Sequence, residues 1–252
     1  TMAASENKVL LDNNNDAFAL KIKNEPIYFE QSWDTGIGGG LWSTGLAMGK
    51  YLESQHLETN LQQTFYTRKE KLNVLELGSG NGFLAVCLLA YLKDRIENLV
   101  VTDLDDDHLA LMKQTMNSNH HLPNHDRVTL MEHKWGHFVP TATTESNNND
   151  SSIIKAQVQS GTVCFDLIIG SDVAYHPDLY DVLIQSLCRF STSKTIILLG
   201  VTMVDTRPMF FHKLCENGFC YERYADHLLH PNFRGSTFGI FVVQKKNKED
   251  RF

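Results

Sequence analysis

An apolar run that stops at an acid and three alternating glycines constrains this chain more than any other stretch. Val74-Leu75-Glu76-Leu77-Gly78-Ser79-Gly80-Asn81-Gly82 is followed at once by Phe83-Leu84-Ala85-Val86-Cys87-Leu88-Leu89, an apolar pattern that starts a helix. Strand, tight glycine turn and helix make the first crossover of a doubly wound α/β sheet, with a ligand site at the turn. Glycine permits φ > 0 and a close backbone approach, and the helix start offers unpaired N–H groups. A dinucleotide fingerprint, G-x-G-x-x-G, needs its third glycine where Phe83 stands. The spacing here is E-x-G-x-G-x-G, the form expected when no pyrophosphate must be cradled.

A second acid narrows the ligand. Val100-Val101-Thr102-Asp103 reads as a strand ending in a carboxylate, 25 residues after Gly78. A carboxylate at that strand tip accepts both hydroxyls of a ribose, so the turn and the acid together predict a nucleoside-cofactor site.

Strands are expected near 72–77, 98–103, 128–132, 165–171 and 194–201, and helices near 83–93, 106–119, 178–190 and 207–217. Such alternation implies a mostly parallel sheet with helices on both faces. Two later strands, 219–224 and 237–243, have no helix between them, which predicts an antiparallel C-terminal pair at the sheet edge. Residues 1–40 read as an N-terminal extension. It holds a β-hairpin of 9–11 and 18–22 around an Asn/Asp loop, a short strand at 27–29 and a glycine-rich lead-in. A helix is expected from Leu41 to Leu52. Residues 140–160 are polar and read as a disordered surface insertion inside one domain spanning 41–252.

Composition excludes several classes. With 252 residues and 42% hydrophobic content the chain can build a sizeable core. No apolar stretch approaches the ~20 residues of a membrane helix, and residues 1–7 show no basic-then-apolar signal pattern. Five cysteines without a C-x-x-C pair argue against a disulfide framework, so a reduced, cytoplasmic protein is expected. Four of the cysteines read as small core residues. A formal net charge of −7 disfavours a broad phosphate-binding surface, hence stable nucleic-acid binding, and suits a basic protein partner. A monomer is the default. Zinc spacings are absent, and the Asp103–Asp107 run lacks the glycine and terminal glutamate of a calcium loop, so no metal is expected. Asp105 to Asp107 instead suit the start of a helix.

Gly170-Ser171-Asp172-Val173-Ala174-Tyr175 follows the fourth core strand, at the tip facing the same crevice as Gly78 and Asp103. From position alone Asp172 either touches a substrate or caps the helix beyond Pro177. Trp135, after the third strand, and Trp42 each read as core or as a wall beside a cofactor base, while Trp33 reads as packing.

Taken together, these residues resemble the seven-strand S-adenosylmethionine (SAM)-dependent protein-lysine methyltransferases known as methyltransferase family 16. The likeness runs from about Gly40 to the last strand through L-W-S-T-G, V-L-E-L-G-S-G-N-G, K-W-G and G-S-D-V-A-Y, in that order. The last is the most diagnostic, because the family carries D-x-x-Y there and Asp172 and Tyr175 fill it. The resemblance implies a Rossmann-like class I fold and SAM held by Trp42, Glu76, Gly78, Ser79, Gly80, Asp103, Trp135 and Ser171. It implies Asp172 and Tyr175 as the catalytic residues. Ser43-Thr44 departs from the Asp-Ala that relatives often carry. Family members methylate lysines on translation factors, chaperones and similar abundant proteins. The N-terminal hairpin and short C-terminus look closest to those acting on translation elongation factors, with elongation factor 1A the leaning. Rival acceptors are a protein histidine, a small molecule or RNA, and a non-catalytic SAM-binding adaptor is a further rival. The lack of an N-P-P-Y/F motif counts against nucleic-acid amines, and the Asp172/Tyr175 pair counts against the adaptor.

Overall fold

The computed structural model describes residues 18–54, 70–139, 150–235 and 237–247. Seven strands form the central sheet: β3 (Leu72–Leu77), β4 (Ile96–Asp103), β5 (Val128–Glu132), β6 (Leu167–Ser171), β7 (Ile196–Thr202), β8 (Phe219–Arg223) and β9 (Phe238–Lys245). Their spatial order is β5-β4-β3-β6-β7-β9-β8. From β5 to β7 every neighbouring pair is parallel, and β9 runs antiparallel to both β7 and β8. The expected antiparallel C-terminal pair is therefore present.

Alternation along each strand feeds two helical layers. Leu72 and Val74 of β3 join one buried cluster, and Leu75 and Leu77 join the other. The first layer holds α1 (Ser43–Glu53), α2 (Phe83–Leu92) and α3 (Asp106–Ser118). All ten residues of α2 are buried, as a helix apolar on every side requires. The second layer holds α4 (Asp150–Ser160), α5 (Tyr180–Phe190) and α6 (Pro208–Glu216). Asp105 caps α3, accepting from His108 N–H at 3.1 Å, as its position predicts.

The structure adds to one expectation and corrects two. A hairpin lies between β1 (Phe18–Ile22) and β2 (Glu25–Tyr28), whose second arm overlaps the short strand expected at 27–29. Lys23 and Asn24 both take positive φ, 49° and 72°, the geometry of a two-residue hairpin turn; residues 9–11 lie outside the described residues. Within 140–160, residues 150–160 form α4 rather than disordered chain. Ile154 and Val158, four apart, bury one face of that helix in the core and supply the crossover that parallel β5 and β6 demand. Residues 140–149 lie outside the described residues. Finally, Cys87 alone of the five cysteines is buried; Cys164, Cys215 and Cys220 are exposed, because their segments turn those positions outward.

The N-terminal hairpin is sewn onto this frame. Ile22 and Ile27 are fully buried in the α1–α3 cluster. Tyr28 N–H donates to Asn119 Oδ1 at 3.0 Å, and Asn119 Nδ2 donates back to Tyr28 O at 2.8 Å. Glu30 N–H donates to Thr115 Oγ1 at 3.0 Å. Among the described residues, no helix is long and apolar enough to cross a membrane.

Candidate active site

The chain order reverses between β3 and β6, which lie side by side. Ligands of open α/β sheets bind beyond the carboxyl ends of the strands at such a point. The glycine loop sits there. Gly78, Gly80 and Gly82 have φ of +63°, +59° and +82°, a region that other residues enter at a cost. Space is equally tight. A Cβ on Gly78 would lie 2.9 Å from Val173 Cγ1 and 3.0 Å from Trp135 Cζ2, and one on Gly80 would lie 2.6 Å from Gly38 O. The loop is thus pressed between the turn after β5, the turn after β6 and the glycine-rich lead-in to α1.

Asp103 closes the loop from the side. Its Oδ2 accepts from Gly80 N–H at 2.7 Å, and its Oδ1 accepts from Leu104 N–H at 2.6 Å. His108, on the first turn of α3, places Nδ1 2.7 Å from Asp105 Oδ1 and 3.9 Å from Asp103 Oδ1. Asn81 Nδ2 donates to Glu30 O at 3.1 Å, tying the loop to the N-terminal segment.

Beneath the loop Glu76 is buried, and among the described residues neither its Oε2 nor the buried Ser79 Oγ has a hydrogen-bond partner. Burial pushes the Glu76 carboxyl up from 4.5 to about 8; the neighbouring Ser79 hydroxyl opposes the rise and the Asp103 charge adds to it. The folded chain therefore keeps a proton that the unfolded chain gives up between those values. Stability should fall as pH rises from 4.5 to about 8 and then level off. Melting temperatures of wild type and Glu76→Gln across pH 5 to 8.5 check this; the glutamine variant should lose most of that slope.

Asp172 opens the turn after β6 with φ +53°, a left-handed conformation that aspartate tolerates better than most residues. Its N–H donates to Gly200 O at 2.9 Å, and its Oδ1 accepts from Thr202 N–H at 3.1 Å and Thr202 Oγ1 at 2.9 Å. Thr202 Oγ1 in turn lies 2.8 Å from Thr44 Oγ1 on the first turn of α1. Burial raises the Asp172 carboxyl above the usual range, the Thr44 and Thr202 hydroxyls pull it back, and Asp205 nearby adds to the rise. Asp172 does not cap the helix beyond Pro177; that short turn starts from His176, whose ring accepts from Asp178 N–H. The side chain is spent instead on joining the tips of β6 and β7.

The other expected residues distribute around this point. Ser171 is the last residue of β6, and its Oγ would lie 3.6 Å from a Cβ on Gly45 of α1. Trp42 precedes α1, 43% exposed, with Nε1 donating to Ile37 O at 2.7 Å. Trp33 stands edge-on to it at 6.1 Å between ring centroids and fills the space beside Gly40. Tyr175 is 40% exposed, three residues beyond Asp172. Reading the sequence missed Thr44, Thr202, Val173, Gly38 and His108. A positional rule would have found Thr202, which ends a parallel strand as Asp103 and Ser171 do; the others touch the site only through tertiary packing.

This strand order with this glycine loop defines a Rossmann-like methyltransferase fold. A glycopeptide N-methyltransferase, MtfA, solved with sinefungin, superposes with a TM-score of 0.51 at 13% identity, covering 78% of this chain and 94% of that one. The chain belongs to the lysine methyltransferase family, whose match runs over residues 21–217. Protein N-lysine methyltransferase METTL21A of Xenopus tropicalis is 24% identical over 204 residues, 80% of this chain and 78% of that protein. Protein-lysine N-methyltransferase EFM3 of Saccharomyces cerevisiae is 26% identical over 206 residues, 78% of this chain and 53% of that protein.

Proposed function

We propose that this chain is a SAM-dependent protein-lysine N-methyltransferase whose acceptor is a translation elongation factor, elongation factor 1A being the favoured one. The observation that carries the enzymatic reading is Asp172, held in a left-handed turn by Thr202 at the switch point beside the glycine loop. The residues present fit the cofactor. Without a partner among the described residues, the buried Glu76 Oε2 and the Ser79 hydroxyl match the ammonium and carboxylate of its amino-acid end. Asp103 suits the ribose hydroxyls, Gly78 and Gly80 leave room at the backbone, and Trp135, Trp42 and Ser171 complete the walls. When bound, SAM supplies a sulfonium methyl for in-line transfer.

The protein's own task is the acceptor amine. Free lysine titrates at ~10.4, so holding it neutral at pH 7 costs about 4–5 kcal/mol. Aromatic walls from Trp42 and Tyr175 lower that cost by stripping water from the ammonium form. An ionised Asp172 alone would favour the ammonium, so its role is to accept a hydrogen bond and aim the lone pair. Tyr175 shapes the channel beside it. The elongation-factor acceptor rests on the resemblance carried by the N-terminal hairpin. A cytoplasmic monomer with neither membrane nor stable nucleic-acid binding fits that acceptor and the net charge of −7.

Transfer of radiolabelled methyl from SAM into a lysate lacking this protein tests the reading. One labelled protein band of elongation-factor size, with the label on lysine, is the expected result. Label on histidine, in RNA or in small molecules would move the acceptor class, and SAM binding without label would leave a cofactor-binding adaptor.

A further inference from the structure

We infer that the buried pair His133 and Ser186 positions Trp135 against the glycine loop and so sets cofactor affinity, without either residue touching the reacting atoms. The inference rests on the cofactor reading above.

β5 ends at Glu132, and His133-Lys134-Trp135-Gly136 turns the chain off the sheet. His133 N–H donates to Asp103 O at 2.9 Å, so the turn starts bound to the strand tip that carries the ribose acid. The His133 imidazole is buried against Phe190, with ring centroids 5.1 Å apart, and against Phe138 at 5.6 Å. Its Nε2 lies 3.2 Å from Ser186 Oγ on α5. The same oxygen accepts from Gly136 N–H at 2.9 Å. One hydroxyl therefore holds the chain on both sides of Trp135. Gly136 has φ +72°, and a Cβ there would lie 3.0 Å from Val182 Cβ, so the turn already rests on α5. Held at both ends, the turn delivers the indole to within 3.0 Å of a Cβ position on Gly78.

The chemistry of the pair is specific. Ser186 Oγ already accepts from Gly136 N–H, and an imidazole protonated at Nδ1 would take its hydrogen at Nε2. Burial, aided by His137, holds His133 down at about 4, so the ring is neutral at physiological pH. An apolar residue in place of His133 would leave that hydroxyl without an acceptor in the core, at a cost.

Binding of S-adenosylhomocysteine by calorimetry, steady-state kinetics and melting curves test this on wild type, Ser186→Ala, Ser186→Cys and Ser191→Ala. Ser191 follows α5, is buried and donates to Leu187 O, so it reports the cost of losing a core hydroxyl away from the turn. Ser186→Ala should weaken S-adenosylhomocysteine and raise KM for SAM about five- to tenfold, the scale of one lost hydrogen bond. Its kcat at saturating SAM should stay within about twofold, since Ser186 meets no reacting atom. Ser186→Cys should fall between, and Ser191→Ala should melt earlier with unchanged affinity. Wild-type affinity in Ser186→Ala, or an equal loss in Ser191→Ala, overturns the inference and leaves the cofactor reading standing. A wild-type protein that binds no S-adenosylhomocysteine overturns that reading, and the inference with it.

Discussion

Asp172→Asn is expected to lower kcat by about 10²–10³, the usual loss when an oriented polar group at the reacting centre is removed. Affinity for SAM should stay nearly unchanged. Asparagine is the informative replacement because it tolerates the left-handed backbone that Asp172 adopts at φ +53°. Its amide oxygen also still accepts from Thr202 N–H and Oγ1, so the joint between β6 and β7 survives. What disappears is the anionic acceptor proposed for the lysine amine. Alanine would mix that loss with about 1–2 kcal/mol of backbone strain. The wild-type rate should also fall in acid through a limb lying above the ordinary aspartate range, because burial raises this carboxyl and its protonated form is no longer an anionic acceptor. The asparagine variant should lack that limb. Thr202→Val keeps the N–H bond and removes the hydroxyl, so it should fall between wild type and Asp172→Asn. Single-turnover methyl transfer and S-adenosylhomocysteine titration separate the two quantities. Equal losses in both would reduce Asp172 to a brace between strand ends.

Gly78→Ala should be costly at the glycine loop. Alanine at φ +63° pays about 1–2 kcal/mol in backbone strain. The new methyl would also meet Val173 Cγ1 at 2.9 Å and Trp135 Cζ2 at 3.0 Å, and crowding of this kind costs roughly 1–3 kcal/mol. Together these predict a melting temperature lower by about 5–15 °C, at a few degrees per kcal/mol for a chain of this size. Affinity for SAM should drop by more than about tenfold, because the methyl occupies the backbone approach and displaces the indole together. A second change, Trp135→Leu in the Gly78→Ala background, should recover part of the stability and none of the affinity. Recovery of both would mean that Trp135 is core and not a wall of the cofactor site.

What the sequence made legible follows from locality. The glycine loop, the acid at the tip of β4 and the cap on α3 are each decided by residues within a few positions, and their geometry follows from φ requirements and hydrogen-bond valence. The alternation of apolar runs gave the parallel core, and the missing helix after α6 gave the antiparallel β8–β9 pair. The failures were of other kinds. Helix α4 hid behind the polar run that precedes it, although Ile154 and Val158 carry the helical spacing of a buried face. The turn at Lys23-Asn24 was missed because no composition rule announces its positive φ values. Thr44, Thr202 and Asp172 meet across 158 and 30 residues of chain, and His133 meets Ser186 across 53. Nothing local marks such pairs; only the completed sheet brings them together.

The stitching of the N-terminal hairpin has a consequence for how this molecule is made. Tyr28 and Glu30 are translated 91 and 85 residues before Asn119 and Thr115, to which they bind. At the roughly 5–20 residues per second of synthesis, that separation is a wait of about 4–18 s. Throughout it, Ile22 and Ile27 have no α3 to complete the core around them, and the backbone that anchors Asn81 has no fixed place. Contacts this distant along the chain form late, since their loop-closure entropy is repaid only once the intervening helices are packed. The N-terminal segment, though made first, is thus tied to the glycine loop only after α3 is made, and a nascent protein too short to reach Asn119 has that loop without this tie.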